Sequence, residues 1–232
     1  MSGHSKWATT KHKKAIKDSK RSSLFTKLTK VITIAAREGA DPDMNFKLRM
    51  AIDKAKSLSL PKDNIERAVA KGSGTGEGQA LEEITYEGYG PEGTAVIIEV
   101  VTDNKNRSAS EVRHLLTKHG GSLGGSVIWQ FDHKGVIYLK SENLTDEQEL
   151  EIIDAGAEDI QKQEDSIRVI TAMEDLQKVQ EKLNKDFEIE NAELEYLAKN
   201  KVKPENPAKV ERLFEALDEN DDIHNFYSNA EF

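Results

Sequence analysis

Cysteine is absent from the 232-residue chain, which removes disulfides, thiolate zinc sites, iron–sulfur clusters and cysteine nucleophiles and makes a reducing cytoplasm the expected compartment. No run of about 18 apolar residues occurs. The longest candidate, Ala95 to Val101, is interrupted by Glu99, so no membrane span is expected. The basic N-terminus is not followed by an apolar segment, so no secretory signal is expected either. The sequons at Asn106 and Asn143 therefore carry no glycosylation argument. The phosphate-loop pattern G-x-x-x-x-G-K-[ST] is missing. Gly72, Gly74, Gly76 and Gly78 alternate instead, which reads as a linker. HExxH is missing, and His114 and His119 lie five apart, off a common helical face. Asp41, Asp43 and Asn45 open like a calcium loop, but Phe46 stands where such a loop needs Gly and Ile52 where it needs a bidentate Glu. Asp218, Glu219, Asp221 and Asp222 read as a solvated loop at a helix end. Catalytic residues, metal ligands and cofactors are all expected to be absent, and the protein is expected not to be an enzyme.

What the chain has is charge, unevenly placed. The total is −9, from 33 Lys+Arg against 42 Asp+Glu. Met1 to Lys71 nevertheless holds 17 basic residues against 7 acidic, leaving 16 against 35 in the remainder. A basic end on an acidic body directs a polyanion to that end, because recruitment follows the local field and not the whole-chain isoelectric point. Within Met1 to Ser22 apolar residues are too few to bury, so this segment is expected to be mobile until it meets a partner.

Periodicity then divides the chain. Leu24, Leu28, Val31 and Ala35 recur at helical spacing before Gly39, Asp41-Pro42 reads as a helix start, and a third helix runs from Pro61 to Gly72. After the Gly-rich stretch the pattern is mixed: strands at 84–89 and 94–101, a helix at 108–119, a strand at 127–131. There follow a strand at 136–139, a helix at 146–154, strands near Ile160 and at 167–170, a helix at 174–183 and a strand at 190–197. A helix at 207–217 and a strand at 224–227 close the chain. The middle segment lacks one helix and one strand of a two-layer sandwich, and the last 26 residues supply one of each. The expected fold is α+β with three domains: a basic helical nucleic-acid-binding domain at 1–72, a linker at 73–80, a discontinuous α/β domain at 81–133 plus 204–232, and an acidic α/β domain inserted at 134–203. The two α/β domains are small and sandwich-like.

Lys13, Lys14, Lys17, Lys20 and Arg21 share a broad face if their segment is helical, and Trp7 and His12 offer flat surfaces for stacking on a base. Each phosphate neutralised releases counterion, so a few contacts suffice for useful nonspecific affinity. Asn64 and Arg67 are candidate base-reading side chains that a helix surface explains equally well.

Gly3-His4-Ser5-Lys6-Trp7 with Lys11-His12-Lys13-Lys14, the run from Leu60 through Pro61-Lys62-Asp63-Asn64-Ile65-Glu66-Arg67-Ala68 to Lys71-Gly72, and Tyr86-Glu87-Gly88-Tyr89-Gly90-Pro91 resemble the YebC/PmpR family. Thr102-Asp103-Asn104-Lys105-Asn106-Arg107, Glu111-Val112-Arg113-His114 and Gly120-Gly121-Ser122-Leu123 extend the likeness along nearly the whole chain. The resemblance implies three domains, the middle one completed by the C-terminus, and no enzyme. It implies a probable transcriptional regulator that binds DNA. The alternative is a translation factor on the ribosome, after the mitochondrial activator of cytochrome c oxidase and bacterial relatives linked to proline-rich stretches. A third reading is an adaptor working through its acidic surface. Nucleic-acid contacts are carried over to His4, Lys6, Trp7, Lys11, His12, Lys13 and Lys14, to which charge adds Lys17, Lys20 and Arg21. The expected partner is DNA or ribosomal RNA, with the ribosome itself possible and no membrane, and the expected state is a cytoplasmic monomer. Two departures stand out. Glu92 replaces a second Gly in the turn after Pro91, and the 120–126 connection is about two residues short.

Overall fold

The computed structural model describes residues 18–76, 80–141, 143–163 and 166–232. Among them the chain is α+β, with seven α-helices and two four-stranded antiparallel sheets. In chain order the elements are α1 (Asp18–Ala35), α2 (Phe46–Ser57), α3 (Lys62–Gly72), β1 (Glu82–Tyr89), β2 (Ala95–Thr102), α4 (Lys105–Lys118), β3 (Ser122–Leu123), β4 (Phe131–Leu139), α5 (Asp146–Ala155), β5 (Asp159–Lys162), β6 (Ile167–Thr171), α6 (Leu176–Leu183), β7 (Ile189–Ala198), α7 (Pro207–Glu219) and β8 (Ile223–Ser228). Two compact units result. One holds the described residues up to Asp132 together with Ala198–Phe232, the other His133–Leu197.

In the first unit α1, α2 and α3 close around Leu28, Ile32, Ala35, Leu48, Ile52, Leu60, Ile65 and Ala68. Three expectations need correction. Helix α1 begins by Asp18 rather than near Leu24, so residues 18–22 are helical; contacts of Ser23, Lys27 and Lys30 with the end of α7 and the segment after it hold this helix along a polar face that hydrophobic periodicity does not register. Helix α2 starts at Phe46, not after Asp41. Buried Asn45 accepts from the Leu48 N–H at 3.0 Å and donates to the Ala35 and Gly39 carbonyls, joining the end of α1 to the start of α2. Asp41 instead caps the N–H of Asp43 in a local turn. Thirdly, the first half of the Gly-rich stretch is ordered. Gly72 belongs to α3, where a Cβ would lie 2.2 Å from the Thr33 carbonyl oxygen, so only glycine lets α3 touch α1 here. The Thr75 and Gly76 N–H groups bond back to the Ala70 carbonyl.

The sheet of this unit runs β3-β1-β2-β8. Strand β2 reads as an almost unbroken apolar run because both its faces are covered. Val96, Ile98 and Val100 face α4 and α7 in a core with Val112, Leu116, Val210, Leu213, Phe214, Leu217, Ile223 and Phe226, while Val101 packs with Leu81 and with Ile34 of α1. The tail is thus part of the sheet and of its helical layer. The expected strand at 127–131 is instead a 3-10 turn at Ile128–Gln130 leading into β4. The Glu87 carboxylate takes the N–H groups of Val127 and Ile128 at 2.6 and 2.8 Å, which withdraws them from any ladder.

Glu92 has φ 63°, ψ 20°, a left-handed conformation that favours glycine. Its carboxylate pairs with Lys209 of α7 at 3.0 Å, and that hydrogen bond, ahead of a small opposing burial cost, holds its pKa below the ordinary glutamate value. The ion pair offsets the strain of carrying a side chain at this turn.

The second unit orders its strands β5-β6-β4-β7. A capping box at Thr145 and Gln148 starts α5, and left-handed Gly156 ends it. Within the sheet, buried Arg168 pairs with Glu195 at 3.0 Å, and the Tyr138 hydroxyl donates to the other oxygen of Glu195 at 2.6 Å.

Truncation after Lys203 tests the role of the tail. It removes Val210, Leu213, Phe214, Leu217, Ile223 and Phe226, all buried. At about 1.5–3 kcal/mol for each side chain the loss exceeds the roughly 5–15 kcal/mol by which a domain is stable. Calorimetry of the truncated chain is expected to show no cooperative transition at the full-length Tm.

Candidate nucleic-acid interface

Of the ten residues expected to contact nucleic acid, His4, Lys6, Trp7, Lys11, His12, Lys13, Lys14 and Lys17 lie outside the described residues. Lys20 falls on the first turn of α1 by its backbone, and Arg21 is exposed on α1 with its guanidinium 5.3 Å from the Phe25 ring centroid.

The described residues bring together a different set. A groove of about 590 Å³ runs between α1, α3 and the start of α4, lined by Thr26, Thr29, Lys30 and Thr33 from α1 and by Asn64, Arg67, Ala68 and Lys71 from α3, with Leu81, Asp103 and Arg107. Helical geometry explains the convergence. Positions 26, 29, 30 and 33 lie on one face of α1, and 64, 67, 68 and 71 on one face of α3. The motif around Asn64 and the motif around Arg107, well separated in sequence, therefore face the same space.

One buried carboxylate organises the floor. Asp222 receives Lys30 Nζ at 2.6 Å on one oxygen. Arg107 Nη2 at 2.9 Å and the Thr102 hydroxyl at 3.0 Å donate to the other. Arg107 also reaches Asp103 at 2.8 Å, and the N-cap Asn104 accepts from the Arg107 N–H. Lys30 further donates to the Asp221 carbonyl. Burial alone would raise the pKa of Asp222, but the hydrogen bonds from Lys30, Arg107 and Thr102 and the nearby positive charge outweigh it and hold that pKa below the ordinary aspartate value. Hydrogen bonds to Asp222 and Asp103 likewise raise the pKa of Arg107. The acidic cluster at 218–222 is thus no solvated loop. Asp218 and Asp221 also engage α1, through Lys27 and Ser23.

The groove's walls differ from its floor. Arg67 donates to the Asn64 side-chain oxygen at 2.6 Å and to the Asp63 carbonyl, and among the described residues neither Arg67 nor Lys71 has an acidic partner in an ion pair. The hydroxyls of Thr26, Thr29 and Thr33 donate to the Ser22, Thr26 and Thr29 carbonyls of their own helix. Each hydroxyl hydrogen is thus committed within the helix, which leaves the oxygen as an acceptor. Sequence reasoning singled out Asn64 and Arg67 but missed Lys30, Lys71 and Asp222. The spacing of the polar stripe on α1 was readable, whereas the contact that orders it spans 192 residues of sequence.

The helical region and the discontinuous α+β part of the first unit together line a groove with Arg67 and Lys71 on one wall. The model for the TACO1/YebC protein N-terminal domain matches residues 5–75, and that for the TACO1/YebC second and third domain matches residues 81–230. The chain belongs to the TACO1/YebC family. A probable transcriptional regulatory protein from Thermoanaerobacter pseudethanolicus is 51% identical over 239 aligned positions, covering 100% of this chain and 97% of that one. Another so named, from Dictyoglomus thermophilum, is 48% identical, covering 99% and 95%. The crystal structure of a conserved hypothetical protein from Aquifex aeolicus superposes with a TM-score of 0.82 at 40% identity, covering 92% of this chain and 91% of that one. The chain is therefore a regulator of the YebC type, as its relatives are named, and none of its described helices is long and apolar enough to cross a membrane.

Asp222 should be the acid-sensitive point of the first unit. A depressed folded-state pKa adds stability that is present in full above the unfolded value of about 3.9 and is lost as pH falls through the folded value. Asp222→Asn is expected to cost about 1–3 kcal/mol near neutral pH, by leaving Lys30 and Arg107 without their shared anion. It should also flatten the dependence of Tm on pH below about 4, as thermal melts across that range would record.

Proposed function

We propose that the chain is a non-enzymatic nucleic-acid-binding regulator of gene expression that anchors through its basic helical domain, residues 1–72. The carrying observation is the concentration of positive charge there, 17 basic residues against 7 acidic, continued among the described residues by Arg67 and Lys71 on one face of α3. The names of the relatives support a role in transcription, with DNA as the polyanion. The acidic remainder, 35 acidic residues against 16 basic, repels a polyanion and so restricts docking to one end.

A specific feature favours the ribosome as a second reading. A helix that reads a DNA major groove presents several base-contacting side chains on one exposed face. The exposed surface of α3 mixes signs instead, with Lys62 paired to Glu66 at 3.4 Å and Asp63 beside them. Such a surface suits contact with backbone and shape, which structured RNA offers at high density.

Changing Lys13, Lys14, Lys17, Lys20 and Arg21 to Gln is expected to abolish nucleic-acid binding while leaving the melting transition in place. Loss of about five phosphate contacts should flatten the salt dependence on duplex DNA by roughly four units of log K against log salt. Unchanged affinity and slope would favour the acidic adaptor. Competition at fixed salt between a promoter fragment, random duplex and ribosomes divides the two nucleic-acid readings: the ribosome reading expects weak sequence preference on DNA and the tighter complex with ribosomes.

A further inference from the structure

We infer that the groove between α1, α3 and the start of α4 is a subsite for a single-stranded RNA segment about two nucleotides long. The inference rests on the nucleic-acid reading above and adds to it a location and a class of strand. Size comes first. About 590 Å³ lies within the range of sites that enclose small ligands, roughly 300–1,000 Å³, which suits a short single-stranded segment.

Charge comes next. Lys30 and Arg107 are matched by Asp222 and Asp103, so the floor is close to neutral and already ordered. Among the described residues Arg67 and Lys71 remain as the cations of the groove without an acidic partner, four residues apart on α3. Two positive charges balance two phosphodiesters. The Asn64 side-chain oxygen is taken by Arg67, which leaves its amide nitrogen as the group this side chain can offer, a donor suited to a phosphate or a base edge.

The hydroxyls choose the sugar. Thr26, Thr29 and Thr33 have each committed their hydrogen to a helix carbonyl, so they offer lone pairs only. A phosphodiester has no hydrogen to give them and a deoxyribose has none at the 2′ position, but a ribose 2′-OH does. A groove whose cations receive phosphate and whose threonines receive a hydroxyl donor matches ribose phosphate better than deoxyribose phosphate.

The test is fluorescence anisotropy on the full chain with a labelled eight-nucleotide oligouridylate, the matching single-stranded deoxy-oligomer and a short DNA duplex. Three variants are compared: Arg67→Gln/Lys71→Gln, Thr26→Val/Thr29→Val, and the five-residue arm variant. The wild type is expected to prefer the RNA over the single-stranded DNA. Arg67→Gln/Lys71→Gln should weaken RNA binding about tenfold and lower its salt slope by about 1.4, the value for two phosphates of a single strand, with a smaller loss of affinity on the duplex. Thr26→Val/Thr29→Val should bring RNA and DNA affinities together with both melts unchanged. If Arg67→Gln/Lys71→Gln binds the RNA like the wild type, or loses affinity equally for all three polymers, or if the threonine variant keeps the RNA preference, the subsite is overturned. In those cases loss of binding by the arm variant would leave the broader nucleic-acid reading standing. Absence of binding by the wild type to every polymer would remove both.

Discussion

The first unit depends on one carboxylate that must stay charged while buried. Asp222 lies between a lysine from the helical region and an arginine from the start of α4, with Thr102 completing the set. An isolated carboxylate in that position would take up a proton, whereas two cations and a hydroxyl hydrogen bond make the charged form the stable one. The requirement is mutual. Lys30 and Arg107 would repel each other without the anion, so the C-terminal return, the helical region and the loop after β2 find their places together. The neighbouring backbone shares in this, since the Val101 N–H donates to the Asp222 carbonyl and so ties the carboxylate to the end of the central strand.

This arrangement gives the Thr102 to Arg107 motif, which carries part of the family likeness, an architectural role. Thr102 accepts the Asn104 N–H, Asn104 caps α4 by accepting the Arg107 N–H, and Arg107 reaches back to Asp103 and Asp222. Each residue fixes the next. The Lys62 to Gly72 motif has a similar double character. Ile65 and Ala68 are core, Gly72 permits contact with α1, and Asn64, Arg67 and Lys71 are left over for the groove.

The boundary between what the sequence discloses and what it conceals follows the range of the interactions. Helices built on apolar repeats, such as α3 and α7, are legible because burial imposes a local period, and the completion of the middle sheet by the tail is legible because a sandwich short of two elements has only one place to obtain them. The early start of α1, the capping of α2 by Asn45 and the 3-10 turn after Val127 are not legible. In each the deciding partner is a polar group elsewhere: Asp221 and Asp222 for α1, the Ala35 carbonyl for Asn45, the Glu87 carboxylate for Val127. The same holds for the groove. Composition finds the basic third of the chain, but nothing local distinguishes Lys30, which holds the fold together, from Lys71, which meets no acid among the described residues.

That distinction gives the charge distribution a sharper meaning than net charge. A cation already matched to a carboxylate contributes little field at a distance and releases few counterions, so only unmatched cations attract a polyanion. In the second unit 18 acidic residues stand against 7 basic, and several of those basic residues are themselves paired, as Lys134 with Glu158, Lys162 with Glu149 and Arg168 with Glu195. Its field is therefore negative throughout the range over which salt leaves charges visible. The helical region has the opposite surplus, and on α3 that surplus is fixed at one face by a helix whose other face is core. Cations mounted on a packed helix, beside threonines whose hydrogens are already committed, can impose an orientation, and orientation is what separates a regulator from a nonspecific counterion.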